Sequence, residues 1–372
     1  MEVLYENLLQ LQWQQVLMWV IGGLLIFLAI KKDMEPALLL PMGFGAILVN
    51  LPFSGAVDQI VGKETEHGVI DLLFNSGIAN ELFPLLLFIG IGAMIDFGPV
   101  LSNPKLMLFG AAAQFGIFFT FSVASLFFDT KDAASIAIIG AADGPTSIFV
   151  ANFFNSKYIG AIIVAAYSYM ALVPIVQPPV IKLITTKKER MIRMPYETKE
   201  VSKLVRILFP IIVTIVAGLV APRAVALIGF LMFGNLIREC GVLNSLSESA
   251  QNMLANLITL LLGITVAAKM QAEMFVNETT LMILGLGLIA FIFDTAGGVL
   301  FAKLMNLFPG KKVNPMIGAA GISAFPMSAR VVHKMGLAED NQNFLLMHAA
   351  GANVSGQIAS VIAGGLILSF FG

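Results

Sequence analysis

Apolar runs long enough to cross a lipid bilayer follow one another from one end of this chain to the other. They fall near 13–30, 36–51, 83–101, 106–128, 133–151, 158–181, 204–221, 223–237, 254–270, 279–305, 312–329 and 343–371. Most approach the ~20 residues that a helix needs to span the hydrocarbon core. In lipid every backbone N–H and C=O has to be paired inside the structure, which leaves only helices and closed barrels. The ~10-residue alternating strands of a barrel do not occur in the pattern. The chain therefore reads as an all-α polytopic membrane protein with about 10–12 membrane segments. Charge density agrees: 12% of the 372 residues are charged and 58% are hydrophobic, where a soluble domain carries ~25% charge.

Several function classes lose support at once. A net charge of −1 offers no footprint for nucleic acid. Cys240 is the sole cysteine, so neither an internal disulfide nor a cysteine metal cluster is available. His67, His333 and His348 are far apart and match no zinc-ligand spacing. The opening "MEVLYENLLQLQWQQ" lacks the basic start of a cleavable signal peptide, and none is expected.

One polar segment divides the chain, "KLITTKKERMIRMPYETKEVSK" at 182–203. With Arg206 it holds Lys182, Lys187, Lys188, Arg190, Arg193, Lys199 and Lys203, and excess positive charge marks a cytoplasmic loop. A solvated loop that sets topology is the simple reading, and a docking surface for a soluble partner the other. The expected organisation is N-terminal membrane segments and a connecting loop at 1–80, a first repeat at 81–181, the basic loop at 182–203, linking segments at 204–253 and a second repeat at 254–372. The repeats are read from paired features. Asn103-Pro104 precedes "GAAA" (110–113) and Asn314-Pro315 precedes "GAAG" (318–321). "GAADGPT" (140–146) has a counterpart in "AAGANVSG" (349–356). The offsets, 314 − 103 = 211 and 353 − 143 = 210, nearly coincide. Two inverted repeats are expected, with interrupted helices at 140–146 and 349–356 meeting near the midplane, the sequence pointer to a transporter's binding site.

Asp143 is the leading site candidate. An ionisable side chain at membrane depth is costly and normally faces a cavity, an ion or a partner. Gly144-Pro145 would interrupt the helix beside it, freeing carbonyls. Together with the hydroxyls of Thr146 and Ser147 these make a set of hard oxygens suited to a small cation such as Na+. Asn353, in "GANVSGQIAS" with Ser355, Gln357 and Ser360, is the second candidate, with interhelical hydrogen bonding as its simpler role. A third element, "NPMIGAAGISAFPMSAR" (314–330), offers Asn314, Ser323, Ser328 and Arg330. That arginine could grip a carboxylate in two-pronged fashion or snorkel to the interface. Asp96 and Asp294 are placed near span ends and rank lower, and Tyr169 reads as a core aromatic or a hydroxyl donor. By these features alone a Na+-coupled secondary transporter, either a Na+/carboxylate symporter or a cation/proton antiporter, fits as well as any other ion-coupled machine.

"GAADGPTSIF", "NPMIGAAGISAFPMSAR" and "HAAGANVSGQIASVIAGG" resemble signature segments of the β subunit of biotin-dependent, sodium-translocating decarboxylases, with further likeness in "LFIGIGAMIDFGP" and "FGNLIRECGVLNSLSESAQN". That family comprises oxaloacetate, methylmalonyl-CoA, glutaconyl-CoA and malonate decarboxylases. The resemblance implies a bacterial cytoplasmic (inner) membrane protein that decarboxylates carboxybiotin and exports Na+, taking up a proton from outside. It implies as partners a biotin carrier protein or domain, a carboxyltransferase α subunit, a small single-span γ or δ subunit, membrane lipids and further β copies. It gives Asp143, Tyr169, Ser323 and Arg330 catalytic weight, and assigns Arg330, Asn314 and Gly318 to the carboxybiotin. Na+ would be held by Asp143, Asn353, Thr146, Ser147, Ser355 and Ser360. The compact chain points towards an acyl-CoA decarboxylase among these.

Overall fold

The helices form where long apolar runs meet few breakers, and the computed structural model describes residues 9–32, 34–61, 64–195, 200–310 and 312–372. Among the described residues the first long helices are α1 (Trp13–Lys32) and α2 (Pro36–Val49), followed by a short antiparallel pair, β1 (Gln59–Val61) and β2 (Glu64–Glu66). Then come α3 (Val69–Leu73), α4 (Leu82–Met94) and α5 (Gly98–Ser102). A 3-10 turn at Pro104–Leu106 leads into α6 (Met107–Ala113) and α7 (Phe115–Ala124). The first interrupted segment is α8 (Thr130–Ala137), a 3-10 turn at Ile138–Ala141, and α9 (Gly144–Phe153). The long α10 (Ile159–Ile184) runs to the basic loop, which carries the single turn α11 (Lys187–Arg190).

Beyond the loop stand α12 (Lys203–Val220), α13 (Val225–Cys240), α14 (Asn244–Ser249) and α15 (Ala255–Val266). They are followed by α16 (Ala272–Phe275) and α17 (Glu278–Met305), which starts where the Asn277 side chain accepts the Thr280 N–H at 2.8 Å. The second interrupted segment is α18 (Met316–Ala319) and α19 (Met327–Glu339), and α20 (Leu346–Phe371) ends the chain.

Seven helices among the described residues are long and apolar enough to cross a membrane, or up to eight if the bent pair Val69–Ile78 and Leu82–Met94 is one span. The seven coincide with seven of the twelve apolar runs. The other five differ for two reasons. Runs 36–51, 83–101 and 223–237 form helices of 14, 13 and 16 residues, short of a full span. Runs 133–151 and 312–329 are not continuous helices at all.

The expected interruption at 349–356 is also absent, because α20 runs unbroken from Leu346 to Phe371. Gly351 and Gly356 each cost ~1 kcal/mol in a helix interior. Without proline, that cost does not break a helix packed on many sides. The second break lies instead at 320–326, ahead of Pro326.

The periphery and centre are distinct. In α12 only 11% of the most apolar window is buried and in α1 17%, so these face the surroundings. In α20 the share is 67%, so this helix forms the centre. The basic loop folds back on the second half. Arg190 pairs with Glu339 at 2.6 Å, Arg193 with Asp340 at 2.6 Å and Lys303 with Glu189 at 3.2 Å. The Asn314 amide donates to the carbonyls of Arg190 (2.8 Å) and Ile192 (2.9 Å). Arg190 and Arg193 of the loop are therefore engaged with the protein's own acids rather than solvated.

Candidate functional site

The two interrupted segments and α20 converge on Asp143. Ala142 sits in the left-handed region (φ 51°), turning the chain out of the 3-10 turn, and Asp143 then caps α9 with Gly144-Pro145 at the first helical positions. A proline there costs nothing, because the first N–H of a helix has no partner anyway. The carboxylate accepts from the Thr146 N–H at 3.3 Å and the Thr146 hydroxyl at 2.8 Å. Ser360, on α20, donates a third bond at 3.0 Å. Ser147 turns to the backbone, donating to the Asp143 carbonyl at 2.9 Å. Asp143 is 3% exposed and no cation faces it among the described residues. Three donors and a helix N-terminus are its compensation.

The second break completes the enclosure. The Ser323 N–H donates to the Ala141 carbonyl at 3.1 Å, joining break to break. The Ser323 hydroxyl donates to the Gly356 carbonyl at 2.9 Å, and the Gln357 amide donates to the Ser323 carbonyl. Asn353 donates to the Ile322 carbonyl at 2.6 Å. Both amides spend their N–H groups on the second break, and their oxygens, Asn353 Oδ1 and Gln357 Oε1, are buried with no partner. Leaving an acceptor unpaired in a dry interior costs ~1–3 kcal/mol. The Asp143 carboxylate and the two orphaned carbonyl-type oxygens on the helix that reaches it are acceptors of the kind a hard cation binds.

Other residues singled out by sequence fall elsewhere. Ser355 donates to Leu106 and Ala352 carbonyls, turned away from Asp143. The Tyr169 hydroxyl donates to the Leu284 carbonyl on α17. Two residues earlier on the same helix, and so ~200° around it, Tyr167 lays its ring against Gly144, and its buried hydroxyl has no partner. Gly318 marks a backbone crossing, since a Cβ there would lie 1.9 Å from the Gly298 carbonyl oxygen. Asn314 holds the basic loop, as described above. Arg330 is exposed on the first turn of α19, without a partner among the described residues.

Asp294 departs most from the sequence reading. It lies in mid-helix rather than near a span end, fully buried, at Gly140 and Gly116. It faces the N–H groups of Gly116 and Ile117, but neither carboxyl oxygen reaches hydrogen-bonding geometry. Asp96 does sit at a helix end, half-exposed and 3.5 Å from Arg206. Tyr167 is the functional candidate that sequence reasoning passed over, while Gln357 was read there only as a polar neighbour of Asn353, one turn from both Asn353 and Ser360. For Tyr167, the only available signal was its helical phase relative to Tyr169.

Comparison with known proteins bears on what this enclosure serves. Residues 14–371 match the family described as Na+-transporting oxaloacetate decarboxylase beta subunit. The chain is 48% identical to the methylmalonyl-CoA decarboxylase subunit beta of Propionigenium modestum, over 96% of this chain and 95% of the relative. It is 48% identical to the glutaconyl-CoA decarboxylase subunit beta of Acidaminococcus fermentans, covering 97% and 94%. It is 44% identical to the oxaloacetate decarboxylase beta chain of Klebsiella pneumoniae, covering 98% and 96%.

Proposed function

The chain belongs to the family of Na+-transporting oxaloacetate decarboxylase beta subunits, and on that premise we propose that Asp143 is the group through which it couples loss of CO2 from carboxybiotin to Na+ export. The observation that carries this reading is the buried Asp143 carboxylate, bonded to Ser360 of α20, the helix that also bears the unpartnered oxygens of Asn353 and Gln357. Burial favours the neutral form of a carboxyl and a bound cation favours the charged form. One acid can then carry Na+ when ionised and a proton when not, so release of Na+ outward loads the proton that the next step needs.

Carboxybiotin supplies the chemistry: a proton arrives on its ureido nitrogen, the N–C bond breaks, and CO2 leaves as a neutral molecule. The protein's part is to deliver that proton from Asp143 and to keep water away. The enclosure is walled by residues such as Ile138, Ala141 and Ile322, which lowers the cost of turning a carboxylate into neutral gas. Ser323, which ties the two breaks together, acts by positioning in this reading, and Arg330 offers an unpaired guanidinium for an incoming anion. Tyr169, Asn314 and Gly318 support the reaction through the scaffold rather than by touching the ion.

In this reading the chain works in the bacterial inner membrane with the basic loop inside. A biotin carrier, a carboxyltransferase α subunit, a small γ or δ subunit and further β copies are its partners. The acyl-CoA relatives at 48% identity support an acyl-CoA substrate for the complex. The test is co-purification with a biotinylated partner, followed by reconstitution into proteoliposomes. Decarboxylation should drive Na+ uptake that avidin blocks. Uptake driven by a substrate gradient alone would favour a symporter instead.

A further inference from the structure

A cavity of about 520 Å3 lies on the face that carries the basic loop. The Asn103–Leu106 turn forms one wall, Met305, Phe308, Pro309, Lys312 and Val313 another, and Met194 and Pro195 close it from the loop. Its size falls within the ~300–1,000 Å3 of small-molecule sites. The two Asn-Pro elements of the sequence meet here: Asn103 lines the cavity directly, and Asn314 follows the lining residue Val313. Asn314 also fixes the loop wall through the Arg190 and Ile192 carbonyls.

The lining is apolar at Leu106, Met194 and Met305, with two ammonium groups, Lys105 and Lys312, and no carboxylate among the described lining residues. Neither lysine has an ion-pair partner among the described residues, whereas Arg190, Arg193 and Lys303 close by are all paired. Unpaired cations set over an apolar pocket select an anion with an apolar body. The cavity is also joined to the Asp143 enclosure. Its residue Leu106 accepts a hydrogen bond from Ser355, and Gly351 packs on Leu106 and Pro99. His348 at the cavity and Ser360 on Asp143 belong to the same helix, 12 residues apart and hence ~18 Å along its axis.

We propose that this cavity is the docking site for the N-carboxylated ring of the partner's biotin, with Lys105 and Lys312 recognising its carboxylate before it moves inward. The inference rests on the function proposed above and adds the residues that select the substrate. The test uses the assembled complex and separately prepared carboxylated carrier protein, titrated at saturating Na+. In the Lys105→Gln/Lys312→Gln double variant, KM for the carboxylated carrier rises tenfold or more, kcat changes less than twofold and the Na+ concentration for half-maximal rate stays put. The Lys105→Arg/Lys312→Arg variant restores KM to within about threefold of wild type. Both lysines are exposed, so an unchanged melting temperature accompanies the effect. An unchanged KM, or a shift in Na+ dependence in its place, would overturn the docking assignment while leaving the pump reading intact. A wild-type complex that leaves the carboxylated carrier untouched would remove the pump reading itself, and the docking site with it.

Discussion

Asp143 is held by donors that also limit how it can bind an ion. The Thr146 hydroxyl and Ser360 hydroxyl meet the same oxygen, at 2.8 and 3.0 Å. A hydrogen bond to a charged group contributes ~1.5–3 kcal/mol. Thr146→Val keeps the shape and removes one such bond, and it should raise the half-saturating Na+ concentration about tenfold, equivalent to ~1.4 kcal/mol. Rate measured against Na+ checks this, and a loss of rate that saturating Na+ does not recover would contradict it. Gly318 makes the opposite case, where the backbone itself is the contact. A Cβ 1.9 Å from the Gly298 oxygen cannot be accommodated without moving α17 or α18. Gly318→Ala should therefore destabilise by ~1–3 kcal/mol or more, seen as a lower melting temperature in detergent. Unchanged stability with a raised KM for the carrier would return Gly318 to a direct binding role. Asp143 and Thr146 were legible in the sequence because an acid and a hydroxyl stand at a Gly-Pro break, and Ser360 through its polar cluster with Asn353. Tyr167 was not, because two tyrosines two residues apart differ only in helical phase, and phase has meaning only once the neighbours are known.

At the scale of elements, the basic loop is an arm strapped to the second half. The Arg193 guanidinium bonded to Asp340 holds that carboxyl below the usual carboxylate range. A carboxyl with a depressed folded-state value contributes its stability above its unfolded value, near ~3.9, and loses it as pH falls through the lower folded value. Residues 187–195 should thus keep constant hydrogen-exchange protection from pH 7 down to ~5, after correction for intrinsic rate, and lose it below ~4. Protection that fades above pH 7 instead would place the strap on another group. The interruption expected at 349–356 does not form, while the second break lies at 320–326. Glycines loosen an isolated helix, but α20 is 67% buried in its apolar window and its packing holds it straight. α20, which carries Asn353, reaches Asp143 through Ser360 as a continuous helix rather than a broken one.

For the whole molecule, the membrane class was readable because bilayer thickness imposes a length on every apolar run. What the runs could not convey was which of them are full spans. Runs of 13 to 16 helical residues and broken ones look alike in hydropathy and differ only in packing. The assembled picture is a bundle whose centre, α20, bonds the first interrupted segment through Ser360 and the second through the amides of Asn353 and Gln357, whose oxygens stay unpartnered. Everything in the coupling scheme passes through one acid. The most direct measurement is therefore CO2 release and Na+ uptake recorded together in proteoliposomes bearing the complex, with wild-type protein and with Asp143→Asn. Both signals should vanish in the variant while the protein still assembles with its biotinylated partner. Coupled Na+ uptake retained by Asp143→Asn would contradict the account at its centre.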